Sequence, residues 1–530
     1  MIPSEQLFTR TSYSKVGITL LRGLLVLLIL LAAAPGRAAG LATSKAAGKR
    51  LNVLFIVADD LRPELGCYGN QAVRSPSIDR LALRSLVFDR AYCQQAVCSP
   101  SRTSVMTGTR PDTNRVWDLN THFRGALPGV VTLPQLFGAH GYATRGLGKI
   151  YHGDLQDAPS WTAPAVSAER RPLRKGRRAA GKRPDHRDEH ALLTATPEAW
   201  AERVTNTDRG PAVRATDDPP NGGGEGRLAD EAIESLRELS GQDKPFFLAV
   251  GFRKPHLPFS VPASYWQLYD QHAIPLAPNR FLPDGAPRFS LADKNELWKY
   301  SGVPDVSDLP EYYARQLKHG YYAAISYMDA QLGRVLTELD ALGLRETTIV
   351  VLWGDHGWKL GEHSRWCKHS NFEDDARAPL LIATPGLTSG GGHTDALVEF
   401  VDIYPTLAEL AGIPKPDHLE GISLKPLLEC PTMAWKAAAF SQYPRTVSRQ
   451  RLMGYSMRTD RYRFTRWVAR DDPSAVIAVE LYDHRTDPQE NVNIADDPAH
   501  APLAAQLAEQ WLAGWRGALP RRAQGTKGDQ

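Results

Sequence analysis

The chain has 530 residues, of which 42 % are hydrophobic and 23 % charged, and its formal net charge is +4. That length holds a large core and more than one domain, with the composition of an ordinary globular protein. So small a charge for this size supplies no global argument for nucleic acid, and no nucleic-acid partner is expected.

At the N-terminus, Arg10, Lys15 and Arg22 precede the apolar run "GLLVLLILLAAA" (23–34), which "PGRAAG" follows. The run is too short to span a bilayer comfortably. A basic flank, a short apolar core and small residues describe a secretory signal over 1–39, with cleavage near Ala39 or Gly40; an uncleaved anchor is the alternative. The expectation is an exported protein with no stable membrane span, periplasmic or extracellular, or in a lysosome-like compartment if eukaryotic. Five cysteines follow, Cys67, Cys93, Cys98, Cys367 and Cys430. An odd count leaves at least one without an intramolecular partner, and their spacing fits no zinc pattern. So few in a long chain do not define the fold.

"NVLFIV" (52–57) reads as a buried strand and "SPSIDRLALRSLVF" (75–88) as a helix, with Ser75 capping and Pro76 in the first turn. "YATRGL" (142–147), "PFFLAVG" (245–251) and "TTIVVLW" (347–353) read as further strands. Residues 320–343 place Ile325, Met328, Leu332, Val335, Leu336 and Leu339 on one helical stripe that stops at Gly343. The alternation of strands and helices predicts an α/β sheet with crossover helices. Residues 155–228, rich in Pro, Gly and charge, read as a variable insertion. Its basic run, 169–187, is either a solvated face or a contact for a polyanion. Near 430 the pattern changes: strands over 458–468 and 476–487 and a helix over 502–515 predict a smaller C-terminal α+β domain. The expected division is a signal at 1–39, a catalytic domain at 50–430, a C-terminal subdomain at 431–518 and a tail at 519–530.

In an open parallel sheet, ligands bind beyond the carboxyl ends of the strands. Asp59 and Asp60 follow the first run, Lys149 and His152 the second, Lys254 and His256 the third, and Asp355 and His356 the fourth. Singly, an Asp-Asp pair is often a cap and an Asp-His pair a solvated loop. Together Asp59, Asp60 and Asp355 offer three hard oxygen ligands, which suit Ca²⁺ or Mg²⁺; His356 would be unusual on a hard cation. The stretch "AVCSPSRTSVMTG" (96–108) adds a fifth element. Pro100 suits a first helical turn, so residue 98 lies at a helix N-terminus, where free N–H groups favour an anion. Arg102, one turn on, can reach back with a rigid fork. A cation, fixed positive charges and an anionic group point to a tetrahedral oxyanion ester as the guest.

"CSPSRTSVMTG" is similar to the sulfatase signature C-x-P-S-R followed by four residues and Thr-Gly, here Cys98, Pro100, Ser101, Arg102, Thr107 and Gly108. The resemblance implies a large, mostly parallel mixed sheet sandwiched by helices, the alkaline-phosphatase-like sulfatase fold. It implies that a formylglycine-generating maturation enzyme converts Cys98 to Cα-formylglycine, and that Ca²⁺ binds Asp59, Asp60, modified Cys98, Asp355 and His356. Lys149, His152, His256 and Lys368 would complete the pocket, with Arg102 holding the formylglycine. "DDLRPELGCYG", "QQAVCSPSR", "RPDTNR", "FFLAVGFRKPHLPF", "DHGWKLGEHSRWCKHSNF", "SQYPR" and "MGYSMRTDRYR" resemble the iduronate-2-sulfatases within that family. The similarity covers most of residues 50–490 and departs mainly at 155–228, 385–395 and 465–480.

A sulfate ester repels nucleophiles and has a poor alkoxide leaving group. A serine could attack, but its own sulfate ester would be equally resistant. A hydrated aldehyde solves this: one hydroxyl attacks sulfur, and the second loses a proton so that sulfate leaves by C–O cleavage. Asp355 is the expected acceptor of the first proton. His256 would protonate the leaving sugar oxygen, His152 deprotonate the second hydroxyl, and Lys149 and Lys368 hold sulfate oxygens. Competing readings are that His152 only orients the diol and that Lys368 pairs with Glu362. The substrate implied is a sulfated saccharide, foremost a uronate 2-O-sulfate in a glycosaminoglycan or similar polysaccharide. The alternatives are a phosphodiesterase or phosphonate monoester hydrolase of the same superfamily, and a non-catalytic polyanion-binding protein that uses 169–187.

Overall fold

Asn52–Asp59, strand β1, is buried at every position, as a run of Val, Leu, Phe and Ile must be when both faces of a sheet are covered. The computed structural model describes residues 50–162, 209–292, 294–306, 308–386 and 390–520. The expected signal, the basic run 169–187 and most of the 519–530 tail lie outside them. Six strands join β1: β2 (Leu86–Phe88), β3 (Ala143–Gly148), β4 (Phe246–Pro255), β5 (Thr348–Gly354), β6 (Leu380–Ala383) and β7 (Gly392–Thr394). The seven-stranded order is β7-β2-β6-β5-β1-β4-β3. Only β6 runs against its neighbours β5 and β2; the other pairings are parallel.

Side chains alternate across β1 with a period of two. Leu54 and Ile56 face a core that includes Ile78 and Leu81 of α1 (Pro76–Ala82), Leu228 and Leu236 of α2 (Gly223–Ser240), and Met328 and Leu332 of α3 (Glu311–Ala341). Val53, Phe55 and Val57 face the opposite core, with Val105 and Met106 of the helix Cys98–Thr107 and Ile403 and Leu407 of the helix Ile403–Leu410. The expected stripe on α3 is buried throughout. Beyond this body, β8 (Ala438–Val447), β9 (Gln450–Thr459), β10 (Tyr462–Ala469) and β11 (Asp472–Asp483) form an antiparallel meander in chain order. The helix Ala501–Gly517 closes it, burying Leu507 against Met457, Phe464 and Leu481.

Two expectations need correction. The helix read over 75–88 ends at Ala82, because Leu86–Phe88 pairs with β6 and β7. Ser75 holds the N-cap position, but its side chain makes no capping bond: the amides of Ser77 and Ile78 donate to Asp329 from α3 at 2.7–3.1 Å, while Ser75 Oγ accepts from the Gly66 amide. The end of the expected insertion carries regular structure. Val213–Thr216 pairs with Phe259–Pro262, and the glycine-rich stretch opens α2, with Gly223 at φ 75°. All five cysteines are unpaired.

Candidate active site

The site lies where four neighbouring strands stop. β1 ends on Asp59, and Asp60 takes φ 62°, a left-handed conformation that aspartate adopts more readily than most residues. Two bonds hold that turn: the Asp60 amide donates to Asp355 Oδ1 at 2.9 Å, and the Tyr321 hydroxyl, from α3, donates to the Asp60 carbonyl at 2.7 Å. Beside it, β5 ends at Gly354 and delivers Asp355 and His356. A Cβ on Gly354 would sit 2.3 Å from the Leu61 carbonyl oxygen, so glycine lets the two strand ends close up. Lys149 follows β3, and His256 follows β4.

Cys98 is the first residue of its helix, after an extended Val97. Its Sγ lies 3.3 Å from Asp59 Oδ1 and 3.4 Å from His356 Nε2. The ligand atoms of Asp59, Cys98, Asp355 and His356 all lie within 4.8 Å of one another, and Asp60, Cys98 and His256 form a second such group. Asp60 Oδ1 is also 3.4 Å from His356 Nε2. The five expected ligands therefore gather around one point. His356 Nδ1 donates to the Gly357 carbonyl at 2.9 Å, which leaves the Nε2 lone pair for a cation among the acids.

A ring of cations surrounds this cluster. Arg102 Nε donates to Asp355 Oδ2 at 2.8 Å and Nη2 to Asp59 Oδ1 at 3.2 Å, and Nη1 donates to the Lys149 carbonyl. Its fork thus grips the two carboxylates beside residue 98 rather than residue 98 itself. Lys149 pairs with Asp59 Oδ2. Lys368 Nζ lies 2.8 and 3.0 Å from the Asp60 oxygens and 3.0 Å from Glu296, and it stacks over Trp358 at 4.8 Å. Glu362, its suggested partner, instead pairs with Arg62 at 2.9 Å. His256 Nε2 is 3.4 Å from Glu296 and 3.8 and 3.9 Å from Asp60 and Asp59. His152 flanks Lys149 with a buried Nδ1 that has no partner among the described residues.

Dry surroundings set the electrostatics. Burial would push Asp59 up, but Lys149, His256, Arg102 and Lys368 together hold it well below the ordinary value. Asp60 goes the other way, raised by burial and then by Asp59, Asp355 and Glu296, against the pull of Lys368. Two adjacent carboxylates pulled in opposite directions mark an excess of anionic oxygen. A divalent cation among Asp59, Asp60, Asp355 and His356 would let both ionise, so this oxygen-rich donor set fits a hard cation. Burial and Asp59 push the Cys98 thiol up, which makes it a poor thiolate nucleophile. Burial, then neighbouring lysines, lower His152 to about 4 and His256 to about 3. Lys254, which clamps the His256 turn through the carbonyls of His256 (3.1 Å) and Pro258 (2.5 Å), falls to about 8 through burial.

Glu296, Tyr321 and Trp358 are part of this site without having been singled out from the sequence. Glu296 opens a short 3-10 helix, Glu296–Lys299, with no strand end to flag it. Tyr321 carried one faint signal, a polar tip on an otherwise apolar helix face.

The chain belongs to the sulfatase family, whose model matches residues 51–413. A second model, the C-terminal region of N-sulphoglucosamine sulphohydrolase, matches residues 361–515. Iduronate 2-sulfatase of Mus musculus is 34 % identical, the alignment covering 88 % of this chain and 94 % of the relative; that of Homo sapiens is 34 % identical over 84 % and 91 %. Among solved structures, the phosphonate monoester hydrolase of Agrobacterium radiobacter superposes with a TM-score of 0.67 at 24 % identity, covering 88 % of this chain and 95 % of that one, which shows the shared fold. The protein is a sulfatase enzyme, a sulfuric ester hydrolase. Among the described residues, no helix is long and apolar enough to cross a membrane.

Proposed function

We propose that this sulfatase removes the 2-O-sulfate of a uronate in a glycosaminoglycan or similar polysaccharide, outside the cytoplasm, with Cys98 matured to formylglycine and Ca²⁺ held by Asp59, Asp60, residue 98, Asp355 and His356. The observation that carries the reading is the gathering of Asp59, Cys98, Asp355 and His356 within 4.8 Å, in a chain 34 % identical to iduronate 2-sulfatases.

The hydrated aldehyde supplies a geminal diol, and the cation supplies positive charge that acidifies a hydroxyl and neutralises sulfate. The remaining work falls to side chains. Arg102 fixes Asp59 and Asp355, so the acids cannot drift when charge moves. Lys149 and Lys368 exchange part of their pairing with Asp59 and Asp60 for the sulfate oxygens, and hold that charge through the transition state. Asp355 accepts the first proton. His256, neutral at rest, gains its proton as the anionic ester enters, then delivers it to the leaving sugar oxygen. His152, neutral through burial beside Lys149, takes the proton of the second hydroxyl.

The test is turnover at matched concentration of a 2-sulfated uronate disaccharide and a 6-sulfated glucosamine disaccharide, read as released sulfate, and of an aryl phosphonate monoester, read as released phenol. Preference for the first by tenfold or more in kcat/KM is expected. Faster turnover of the phosphonate would overturn the assignment in favour of the phosphonate hydrolase reading.

A further inference from the structure

Arg445 in β8 is a cation with no carboxylate in ion-pair contact among the described residues; Asp375 and Glu480 act on its charge only from farther off. Its Nε donates to the Phe289 carbonyl at 2.7 Å, and its Nη2 to the carbonyls of Ser290 at 3.0 Å and of His369. Its Nη1 reaches the carbonyl of adjacent Pro444, at 3.2 Å, and the Tyr443 side chain is a further hydrogen-bond partner. One face lies over the Tyr443 ring at 4.4 Å. Arg102, Arg110 and Arg463, also largely buried, each meet a carboxylate; among the described residues, Arg445 forms no ion pair with one. Half-burying a guanidinium with only carbonyl and hydroxyl dipoles in contact and carboxylates at a distance is costly, so a position that keeps it points to an anion that arrives from outside.

Its location says which anion. The His369 carbonyl that it grips belongs to the residue after Lys368, and Cys367 and His369 both take left-handed backbone, at φ 71° and 96°. Arg445 and His369 are half-buried, so this corner is open to solvent. A 2-sulfated uronate carries a second anion, the carboxylate, across the ring from the sulfate. With the sulfate between Lys149 and Lys368, the far side of the ring needs a second cation one residue's length from Lys368. We propose that Arg445, delivered by the C-terminal sheet, binds the carboxylate of the uronate and so determines substrate specificity. This rests on the uronate reading above. The planar fork with a spare Nη1 edge suits a carboxylate better than an ammonium would.

The experiment compares kcat/KM on a 2-sulfated uronate disaccharide and on its carboxyl-reduced analogue, for the mature wild-type enzyme, R445Q and R445K. Wild type should prefer the carboxylate. In R445Q that preference should fall by about tenfold to a hundredfold, the range of a charge-assisted hydrogen-bond pair, and R445K should restore part of it. Loss of activity on both substrates in parallel, with the ratio unchanged, would mean that Arg445 only props the His369 loop, and would overturn the inference. A wild-type enzyme indifferent to the carboxylate would overturn it too, without any variant having to fold, and would leave the 2-O-sulfatase assignment standing. No cleavage of either disaccharide would instead defeat the uronate reading, and this inference with it.

Discussion

Tyr321→Phe isolates how the fold holds the strained end of β1. The Tyr321 hydroxyl donates to the Asp60 carbonyl at 2.7 Å and accepts from the Arg62 amide at 3.0 Å, pinning the chain immediately after Asp60, the residue at φ 62°. Phenylalanine keeps the ring packed but orphans both backbone groups. Each bond contributes about 1 kcal/mol, and a buried group left dry costs up to about 3, so the substitution should destabilise by about 2–4 kcal/mol. Relaxation of the Asp60 turn also moves a carboxylate that Lys368 and His356 address. A displacement well under 1 Å there should lower kcat/KM by about tenfold to a hundredfold. The assay pairs urea unfolding with turnover, and Tyr322→Phe, next door on α3, is the control, since Tyr322 does not bond Asp60. It should lose stability without a comparable loss of kcat/KM. Tyr321→Phe with kcat/KM within about twofold of wild type would show that the turn holds itself and refute the reasoning.

Three more outcomes follow from single groups. His256→Ala should slow the sugar ester far more than an aryl sulfate, whose leaving group needs no proton; equal losses on both would remove its general-acid role. Stripping with a chelator should abolish turnover and Ca²⁺ should restore it; undiminished activity after complete removal, checked by elemental analysis, would exclude a required cation. Glu480, buried and bonded by Trp467 Nε1 at 2.6 Å and the Tyr482 hydroxyl at 2.7 Å, is pushed up to about 7 by burial. Its folded value exceeds the ordinary 4.5, so its stability contribution is whole below the ordinary value and is lost as pH rises through about 7. The linked energy is about 3 kcal/mol, so wild type should lose that much more stability than Glu480→Gln between about pH 5 and pH 8. Parallel pH profiles for the two proteins would show that Glu480 does not titrate in the folded state.

The core strands and the acids behind them were legible because one physical rule covers both. Strands buried on two faces must be continuous apolar runs, and the residues just past them are where a parallel sheet exposes chemistry. Asp59, Asp60, Lys149, His256, Asp355 and His356 all follow from that rule, and Cys98 from its helix start. The rule is silent about residues that reach the site from elsewhere. Glu296 comes from a single 3-10 turn, Tyr321 from the middle of a long helix, and Arg445 from a sheet more than seventy residues beyond Lys368 in the chain. No local periodicity encodes such meetings. The helix expected over 75–88 failed for a related reason: Leu86–Phe88 satisfies either period, and only pairing with β6 and β7 decides for the strand. Ser75 was a sound local cap that lost to Asp329, a partner about 250 residues away.

Mass spectrometry of the peptide Ala91–Arg102 from protein matured in its own host reads the chemical state of residue 98 directly. An aldehyde or its hydrate at that position, in proportion to the specific activity of each preparation, is the predicted result. A fully active enzyme whose residue 98 is still a thiol would contradict the account at its centre.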